Sequence, residues 1–537
     1  MKRYWLRAFC CFLVLFCGTA IGFGTAPALA ADRPKVDCES LARADFSEIE
    51  DAPTQIIDAQ PIDASDGDPA YCRVRGYISP QVGFEMRLPQ SNWNGKFFQV
   101  GCGGSCGSTR HIRFCPIQRG YACIASDMGN NSGGKGLIWA QNNLQAQLDL
   151  NVRGPHVAAV AGKAITKAYY GIAPLKSYFR GCSSGGVQGL SEAQRFPYDF
   201  DGIITLSGSP YRSDMIMQYV WGIRALRDEQ GRPRLSQSDL RLVNAEAVKS
   251  CDLDDGVQDG VIGNPYACRV NLRRLLCKQK KTGSCLTATQ IDAVQKVYAG
   301  PVTSKGEKKT FPGGPAPGSE LGWIDDSGYI TGGADFSDLQ KWSEEVLRYM
   351  GFTPPPGAKW KLSDFDFDRD YKRLGVAETL WGASNPDLSR LKQEGAKIIA
   401  AYGFNEVNSN PAGMIKYYDT VARTMGGLKD VQDFFRLFLV PGMDHCGGGV
   451  GNTGASEIDY LDYLEKWVEH GQAPDKLIAA HVNDSYLTRH DRSQLKFPLA
   501  TDVPIDFTRP IYPYPLRAKY KGDGNPADAG SFVPVTR

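Results

Sequence analysis

Residues 177–186 read SYFRGCSSGG and decide the fold that we expect. An apolar, strand-like run comes first, Ser183 follows it between glycines, and residues 187–196 read as a helix. A Gly-x-Ser-x-Gly pattern at a strand-to-helix turn is typical of a nucleophile elbow, in which small neighbours allow a sharp turn that exposes the serine hydroxyl. Five loosely specified positions also occur by chance in a glycine-rich chain, so a simple turn remains the alternative.

The segments around this turn alternate between strands and helices. Apolar runs predict strands at 97–100, 121–125, 177–180, 200–206, 397–402 and 434–440. Apolar periodicity predicts helices at 153–170, 187–196, 412–425 and 458–469. This order predicts an α/β fold, in which a mostly parallel sheet carries helices on both faces.

Residues 210–384 break the alternation. The chain has 537 residues, which exceeds the usual length of one simple domain, and this stretch is rich in proline, glycine, lysine and aromatic residues. We therefore expect residues 31–209 and 385–537 to form the core and residues 210–384 to be inserted into it.

The charge balance limits the class of partner. The chain is 22% charged and 42% hydrophobic, with a formal net charge of +2. No large basic field results, so neither nucleic acid nor an anionic membrane is the expected partner. We expect a small substrate.

The N-terminus resembles an export signal. Two positive charges precede an apolar run at 9–23, and the small residues Ala28 and Ala30 follow. This order predicts a cleaved secretory signal over residues 1–30, so the mature chain begins near Ala31 and works in the periplasm or outside the cell. A membrane anchor is the less favoured alternative, because glycines interrupt the apolar run.

Cysteine usage agrees with export. Of the fifteen cysteines, three lie in the predicted signal, which leaves twelve. An even number in an oxidising compartment predicts disulfides, and eight cysteines are expected in them: Cys38, Cys72, Cys182, Cys251, Cys268, Cys277, Cys285 and Cys446. Pairing stays open among Cys102, Cys106, Cys115 and Cys123, for which a tetrahedral zinc site is the alternative.

A serine nucleophile needs a base within hydrogen-bond reach. Among six histidines, His445 follows the end of a predicted strand on a glycine-rich loop. The other five are expected to be structural or surface groups: His111, His156, His470, His481 and His490. Cys182 precedes Ser183 and Cys446 follows His445, so a disulfide between them would bring serine and imidazole together; two unrelated cysteines are the alternative.

The base in turn needs an acid to orient it, expected after a strand and between serine and histidine in chain order. Glu406 meets this condition at the end of the strand predicted at 397–402. Asp419 and Asp444 remain alternatives.

An oxyanion intermediate needs two backbone donors. The amide of Ser184, at the start of the elbow helix, is one candidate. The second is expected in the glycine-rich segment 101–104, at Gly103 or Gly104, where a plain turn is the alternative.

Residues 251–261 read CDLDDGVQDGV, with four aspartates in eight positions. Clustered carboxylates repel each other unless a hard cation neutralises them, and Ca²⁺ accepts carboxylate and carbonyl oxygens together. The spacing differs from that of an EF-hand loop. We predict a calcium site, with a solvated acidic turn as the alternative.

Several blocks of the chain resemble the tannase and feruloyl esterase family. They are GCSSGG at 181–186, EAQRFP at 192–197, the aspartate-rich loop, and VPGMDHCGGG at 440–449. The similarity runs from Pro69 to about His481. It implies an α/β-hydrolase core with a lid at 210–384, a disulfide between Cys182 and Cys446 beside the catalytic triad, and structural calcium in the lid.

Carried over residue by residue, the resemblance places the triad on Ser183, Glu406 and His445. The family usually has aspartate at the acid position, so the longer glutamate requires a retracted loop. The implied calcium ligands are the carboxylates of Asp252, Asp255 and Asp259 and the carbonyls of Val257 and Val261. Asp254 is expected outside this set.

The function implied is that of a secreted serine carboxylic-ester hydrolase acting on aromatic esters, hydroxycinnamoyl or galloyl, free or attached to a plant polymer. Lid aromatics would cover the acyl group, although each alone fits a lid core better: Trp323, Tyr329, Trp342, Trp360 and Phe365. A second departure from the family, the pair Cys102 and Cys106, is expected to stiffen the oxyanion segment. The alternatives are a secreted serine amidase or peptidase, and a calcium-stabilised binding protein with impaired catalysis.

Overall fold

A nine-stranded sheet forms the centre of the protein in the computed structural model, which describes residues 33–65, 67–308, 313–324, 328–330, 338–490, 492 and 495–536. The export signal predicted at 1–30 lies outside these residues. No helix in the described ranges is both long and apolar enough to cross a membrane.

The strands of the sheet are β1 (Thr54–Ile62), β2 (Tyr71–Ile78), β3 (Val82–Pro89), β4 (Lys96–Val100), β5 (Ala122–Ser126), β6 (Lys176–Cys182), β7 (Gly202–Leu206), β8 (Lys397–Gly403) and β9 (Phe435–Val440). Their spatial order is β1-β2-β3-β5-β4-β6-β7-β8-β9. The pairs from β5 to β9 are all parallel, as the α/β pattern predicts.

The edge formed by β1, β2 and β3 is antiparallel and was not predicted. Along β2 every second residue is buried, which is the alternation of an antiparallel strand with one covered face. Two small antiparallel pairs follow the sheet in sequence: β10 (Leu477–Val482) with β11 (Ile505–Ile511), and β12 (Arg517–Tyr520) with β13 (Phe532–Val535).

Helices cover both faces of the sheet. They are α1 (Leu144–Leu148), α2 (Gly154–Tyr170), α3 (Ser184–Arg195), α4 (Arg212–Ala225), α5 (Gln237–Cys251), α6 (Ala288–Ala299), α7 (Asp338–Val346), α8 (Gly375–Trp381), α9 (Ser389–Gln393), α10 (Pro411–Thr424), α11 (Leu428–Gln432), α12 (Tyr460–His470) and α13 (Asp484–Leu487). Along β8, Ile398 and Ala400 join the apolar cluster of α2, α3 and α10, whereas Ile399 and Ala401 join that of α12. The predicted two-sided cover is confirmed.

Local sequence sets where these helices begin. Pro411 occupies the first turn of α10, and the Asn410 side chain accepts a hydrogen bond from the Ala412 amide at 2.9 Å. Asp459 caps α12 in the same way through the Asp462 amide. This cap places the start of α12 at residue 460, two residues after the predicted start.

The chain between β7 and β8 contains α4 to α9 and, in its described part, contributes no strand to the sheet. Its buried side chains, among them Trp323, Tyr329 and Phe365, share one apolar cluster with core residues such as Met128 and Val407, while Trp342 and Trp360 pack against it half-buried. Tyr329 Oη donates to the Val407 carbonyl at 3.4 Å. The insertion therefore packs onto the loop that follows β8.

Candidate active site

Ser183 lies at a sharp turn between β6 and α3. Its φ is 61° and its ψ is −123°, a conformation that is uncommon outside glycine and that costs on the order of 1–3 kcal/mol. The turn is tight, because a Cβ on Gly181 would lie 2.1 Å from the Gly185 carbonyl oxygen. The α3 helix therefore begins at Ser184, three residues before its predicted start, directly after a half-buried, strained serine of the elbow type.

A disulfide joins this elbow to a distant loop. Cys182 and Cys446, 264 residues apart in sequence, are bonded with their Cα atoms 6.1 Å apart. The Cys446 amide also donates to Ser207 Oγ at 3.3 Å, at the end of β7. The residue before Ser183 and the residue after His445 are thus fixed to one edge of the sheet.

The structure also pairs the other ten cysteines of the described residues. The remaining disulfides are Cys38–Cys72, Cys102–Cys106, Cys115–Cys123, Cys251–Cys268 and Cys277–Cys285. The four cysteines left open by the sequence therefore form two local pairs, and in this state they offer no thiolates to zinc.

His445 and Glu406 form a short hydrogen bond, 2.7 Å between Nδ1 and Oε1. Glu406 is fully buried. The same oxygen accepts hydrogen bonds from the amides of Asn408 at 2.9 Å and Ser409 at 3.0 Å. These three donors fix the carboxylate against the imidazole, so the longer glutamate side chain reaches the histidine that an aspartate would serve in the family.

The two alternative acids lie elsewhere. The Asp444 carboxylate accepts a hydrogen bond from the backbone amide of His445 at 2.7 Å rather than from its ring. Asp419, inside α10, contacts Tyr514 Oη at 3.5 Å. Neither has a hydrogen bond to the His445 ring.

Two carboxylates act on the imidazole of His445. Burial lowers its pKa, but the charge and the hydrogen bond of Glu406, together with the charge of Asp444, outweigh burial and raise the pKa above its usual value. Asp444 is itself 6% exposed, and burial and the nearby Glu406 raise its pKa to about 7. The pair of carboxylates would therefore stabilise an imidazolium formed during reaction.

The loops that carry the acid and the histidine pack directly on each other. A Cβ on Gly403 would lie 1.9 Å from the Met443 carbonyl oxygen, so only glycine fits there. The Asn405 amide donates to the same carbonyl at 3.0 Å. This close approach lets Glu406 and His445 meet although 39 residues separate them.

The glycine-rich segment after β4 lies over Ser183. A Cβ on Gly103 would lie 3.9 Å from Ser183 Cβ. The Cys102 amide is already used, since it donates to Gln188 Oε1 at 3.0 Å, and the Gly103 amide makes a longer bond of 3.4 Å to His111 Nε2. Among described residues, no acceptor pairs with the Gly104 amide.

His111 was predicted to be an ordinary structural histidine, yet it lies at this segment. Burial, and then the charges of Arg110 and Arg113, lower its pKa to about 4, so the ring is neutral at physiological pH. Its Nδ1 is buried without a hydrogen-bond partner in the described chain. Trp342 of the insertion also reaches the segment, through a 2.8 Å bond from Nε1 to Ser105 Oγ.

A second residue that sequence reasoning missed is Arg212, at the start of α4. Its Nη2 donates to Ser184 Oγ at 3.1 Å, directly beside the elbow. The available signal was its position soon after the end of β7, on the edge of the sheet where the elbow and both loops lie.

The aspartate-rich loop follows α5. Asp252 and Asp255 are 5% and 7% exposed. Burial raises the pKa of both, to about 6 for Asp255, and the charge of Asp259 adds to the rise while backbone hydrogen bonds oppose it. Asp255, Asp259 and Val261 line a cavity of about 30 Å³, which is more than one water molecule needs.

These residues fit a calcium ion. The three carboxylates do not all lie within 4.8 Å of one another, but opposite oxygen ligands of Ca²⁺ are about 5 Å apart. Arg509 contacts Asp259 at 2.5 Å and offsets part of the charge, and Arg517 pairs with Asp254 at 2.7 Å, outside the cavity lining. Buried, mutually repelling carboxylates around a small cavity are what a hard cation would neutralise.

Known proteins are similar to this chain in sequence and in fold. A family model described as tannase and feruloyl esterase matches residues 69–535. A probable feruloyl esterase of Arthroderma benhamiae is 32% identical, over 84% of this chain and 82% of its own. The mono(2-hydroxyethyl) terephthalate hydrolase of Piscinibacter sakaiensis is 29% identical, over 89% of this chain and 87% of its own.

The crystal structure of feruloyl esterase B from Aspergillus oryzae superposes with a TM-score of 0.77 at 25% identity, covering 93% of this chain and 99% of that one. The α/β-hydrolase class expected from the resemblance is therefore confirmed. With the family model spanning most of its length, the chain belongs to the tannase and feruloyl esterase family of carboxylic ester hydrolases.

Proposed function

We propose that this protein is an exported serine esterase that hydrolyses esters of aromatic carboxylic acids through Ser183, His445 and Glu406. The observation that carries the proposal is the Cys182–Cys446 disulfide. It ties the residue before Ser183 to the residue after His445, while His445 is hydrogen-bonded to Glu406.

Acylation begins when Ser183 Oγ attacks the ester carbonyl carbon and its proton passes to His445 Nε2. The carbonyl oxygen becomes negative and is stabilised by the Ser184 amide and by an amide of the 103–104 segment. Glu406 keeps His445 Nδ1 protonated, which leaves Nε2 free to accept. The tetrahedral intermediate then expels the alkoxide, which His445 protonates as the alcohol.

Deacylation repeats these steps with water. Water gives a proton to His445 and attacks the acyl carbonyl, and the second tetrahedral intermediate expels Ser183 Oγ, which takes the proton back. The products are the carboxylic acid and the free enzyme.

The aromatic acyl preference is supported by the relatives named feruloyl esterase and terephthalate monoester hydrolase. The hydrogen bond from Trp342 to Ser105, directly after the oxyanion segment, supports Trp342 of the insertion as a contact for an acyl ring. Residues 210–384 would then act as a lid over Ser183. Trp323, Tyr329 and Phe365 belong to the core of that insertion.

We further propose that Asp252, Asp255, Val257, Asp259 and Val261 hold a structural calcium ion. Bound there, Ca²⁺ would neutralise the buried carboxylates and stabilise the inserted segment. Six disulfides support a periplasmic or extracellular location.

The test compares wild type with Ser183→Ala on methyl ferulate, methyl gallate, a terephthalate monoester and p-nitrophenyl acetate. We expect ester hydrolysis by wild type and its loss by at least about 10³-fold in the variant. Hydrolysis of aryl amides with no ester turnover would favour an amidase. Absence of turnover above the Ser183→Ala background on every ester would sink the proposal and favour a binding protein.

A further inference from the structure

A buried arginine without an acidic partner lies beside the elbow. Arg212 is 3% exposed, and its Nη2 donates to Ser184 Oγ at 3.1 Å. Its Nη1 contacts only a weak acceptor, Met215 Sδ, at 3.7 Å. Its Nε is buried with no hydrogen-bond acceptor, and within the described ranges no carboxylate forms an ion pair with this guanidinium.

The one carboxylate that raises the pKa of Arg212, Glu378, does not pair with it. Glu378 is hydrogen-bonded to the amide and hydroxyl of Ser213, at 2.9 and 3.0 Å, and to Ser384 Oγ at 3.1 Å. Burial lowers the pKa of Arg212, and the influence of Tyr219 and Glu378 offsets burial only in part. Since arginine remains protonated in proteins, a positive charge stays uncompensated in the interior.

A structural role alone explains this poorly. A buried, unpaired charge destabilises a fold, and an apolar side chain of similar size would fill the same space at lower cost. The charge is, however, close to the place where negative charge develops. A serine Oγ lies within about 4 Å of its own amide nitrogen, so Arg212 Nη2 is within about 7 Å of the Ser184 amide.

We propose that Arg212 is a positioning residue of the oxyanion hole, an inference that rests on the proposed function. Its hydrogen bond fixes the side chain of Ser184, whose amide holds the oxyanion. Its charge stabilises the negative carbonyl oxygen that forms when Ser183 attacks. Because that charge is absent from the bound ester, Arg212 acts on kcat and hardly on KM.

The first test is Arg212→Met, which keeps the side-chain length and removes the charge. With p-nitrophenyl acetate we expect kcat to fall about 30-fold or more and KM to change less than about threefold. Thermal unfolding should occur at the same temperature or higher, because an unpaired buried charge has been removed. Lost activity with retained stability is a combination that a merely structural residue would not produce.

Two further variants separate charge from hydrogen bonding. Arg212→Lys keeps the charge, and we expect its kcat to stay within about tenfold of wild type. Ser184→Ala removes the acceptor, so adding Arg212→Met to it should cost less than Arg212→Met costs alone. If Arg212→Met does not fold, Arg212→Lys decides: a kcat within about tenfold of wild type supports the role of the charge, and a larger loss in the folded lysine variant contradicts it.

Each outcome has one meaning. Unchanged kcat in Arg212→Met would overturn this inference. So would a methionine and a lysine variant that lose the same amount of kcat as each other and the same amount of melting temperature as each other. In either case an active wild type would still support the proposed function. A folded wild type that hydrolyses no ester would overturn both.

Discussion

Glu406 Oε1 lies 2.7 Å from His445 Nδ1 and also accepts hydrogen bonds from two backbone amides. The second oxygen of this carboxylate, Oε2, is buried without a hydrogen-bond partner in the described chain. One carboxylate oxygen therefore carries all of the orienting contacts. With Nδ1 held as a donor, Nε2 is the nitrogen left to act as a base. The proposed acid is thus a glutamate, at a position where the resemblance to the family implies an aspartate.

Replacing this acid should abolish catalysis, whereas replacing its neighbour should not. In Glu406→Gln, the amide can place its NH₂ group against Nδ1 and favour the wrong tautomer, so we expect kcat to fall by about 10³–10⁴. The matched control is Asp444→Asn, whose side-chain oxygen can still accept the hydrogen bond from the His445 amide. We expect its kcat to fall less than about tenfold. Steady-state kinetics on methyl ferulate check both. The reverse ranking would identify Asp444 as the acid.

The pH profile should report the raised pKa of His445. Only the neutral imidazole accepts the serine proton, so kcat/KM falls as pH decreases through this pKa, and the acid limb should have its midpoint above about 6.5. Glu406 and Asp444 are the charged groups that raise it. Both Glu406→Gln and Asp444→Asn should move the midpoint to lower pH, and the shift should be larger for Glu406→Gln. A midpoint below 6 in wild type would contradict the conclusion that the two carboxylates raise the pKa of His445 by more than burial lowers it.

The disulfide between the two loops should be needed for activity. In Cys182→Ala/Cys446→Ala the loops lose their only covalent link across 264 residues, so we expect kcat/KM to fall at least about tenfold and stability to fall by about 2–5 kcal/mol. The control Cys277→Ser/Cys285→Ser removes a half-buried link within the insertion and should leave kcat/KM within about twofold. Full activity in the first double variant would refute the tethering role.

Several features of the site followed from local sequence, and others did not. The elbow could be predicted because a strand, a tight glycine turn and a helix leave a local pattern, and the flanking Cys182 and Cys446 pointed to His445. The contacts of His111 with Gly103 and of Arg212 with Ser184 depend on how loops from different strands pack together, and no short window of sequence contains that packing, although the position of Arg212 after β7 was a partial signal. The antiparallel edge did have a local signal, the alternation along β2.

Removing calcium should destabilise the protein rather than change its chemistry. The proposed ligands lie in the insertion, and none of them belongs to the proposed triad. We expect EDTA to lower the melting temperature by about 5–10 °C, and added Ca²⁺ to restore it. Asp255→Asn should abolish this calcium response. Asp254→Asn is the matched control, because Asp254 pairs with Arg517 outside the cavity lining and should leave the response intact.

The metal-free protein should also show a distinctive pH dependence. The raised pKa of Asp255, about 6, means that the folded state binds a proton more tightly than the unfolded state. In EDTA, the contribution of Asp255 to the free energy of unfolding should therefore be fully present below about pH 4. It should be lost as pH rises through about 6. Calcium requires the ionised carboxylate, so its stabilising effect should grow over the same range. Melting temperatures from pH 5 to 8, with EDTA or Ca²⁺, give both trends, and a calcium effect that does not increase with pH would argue against Asp255 as a ligand.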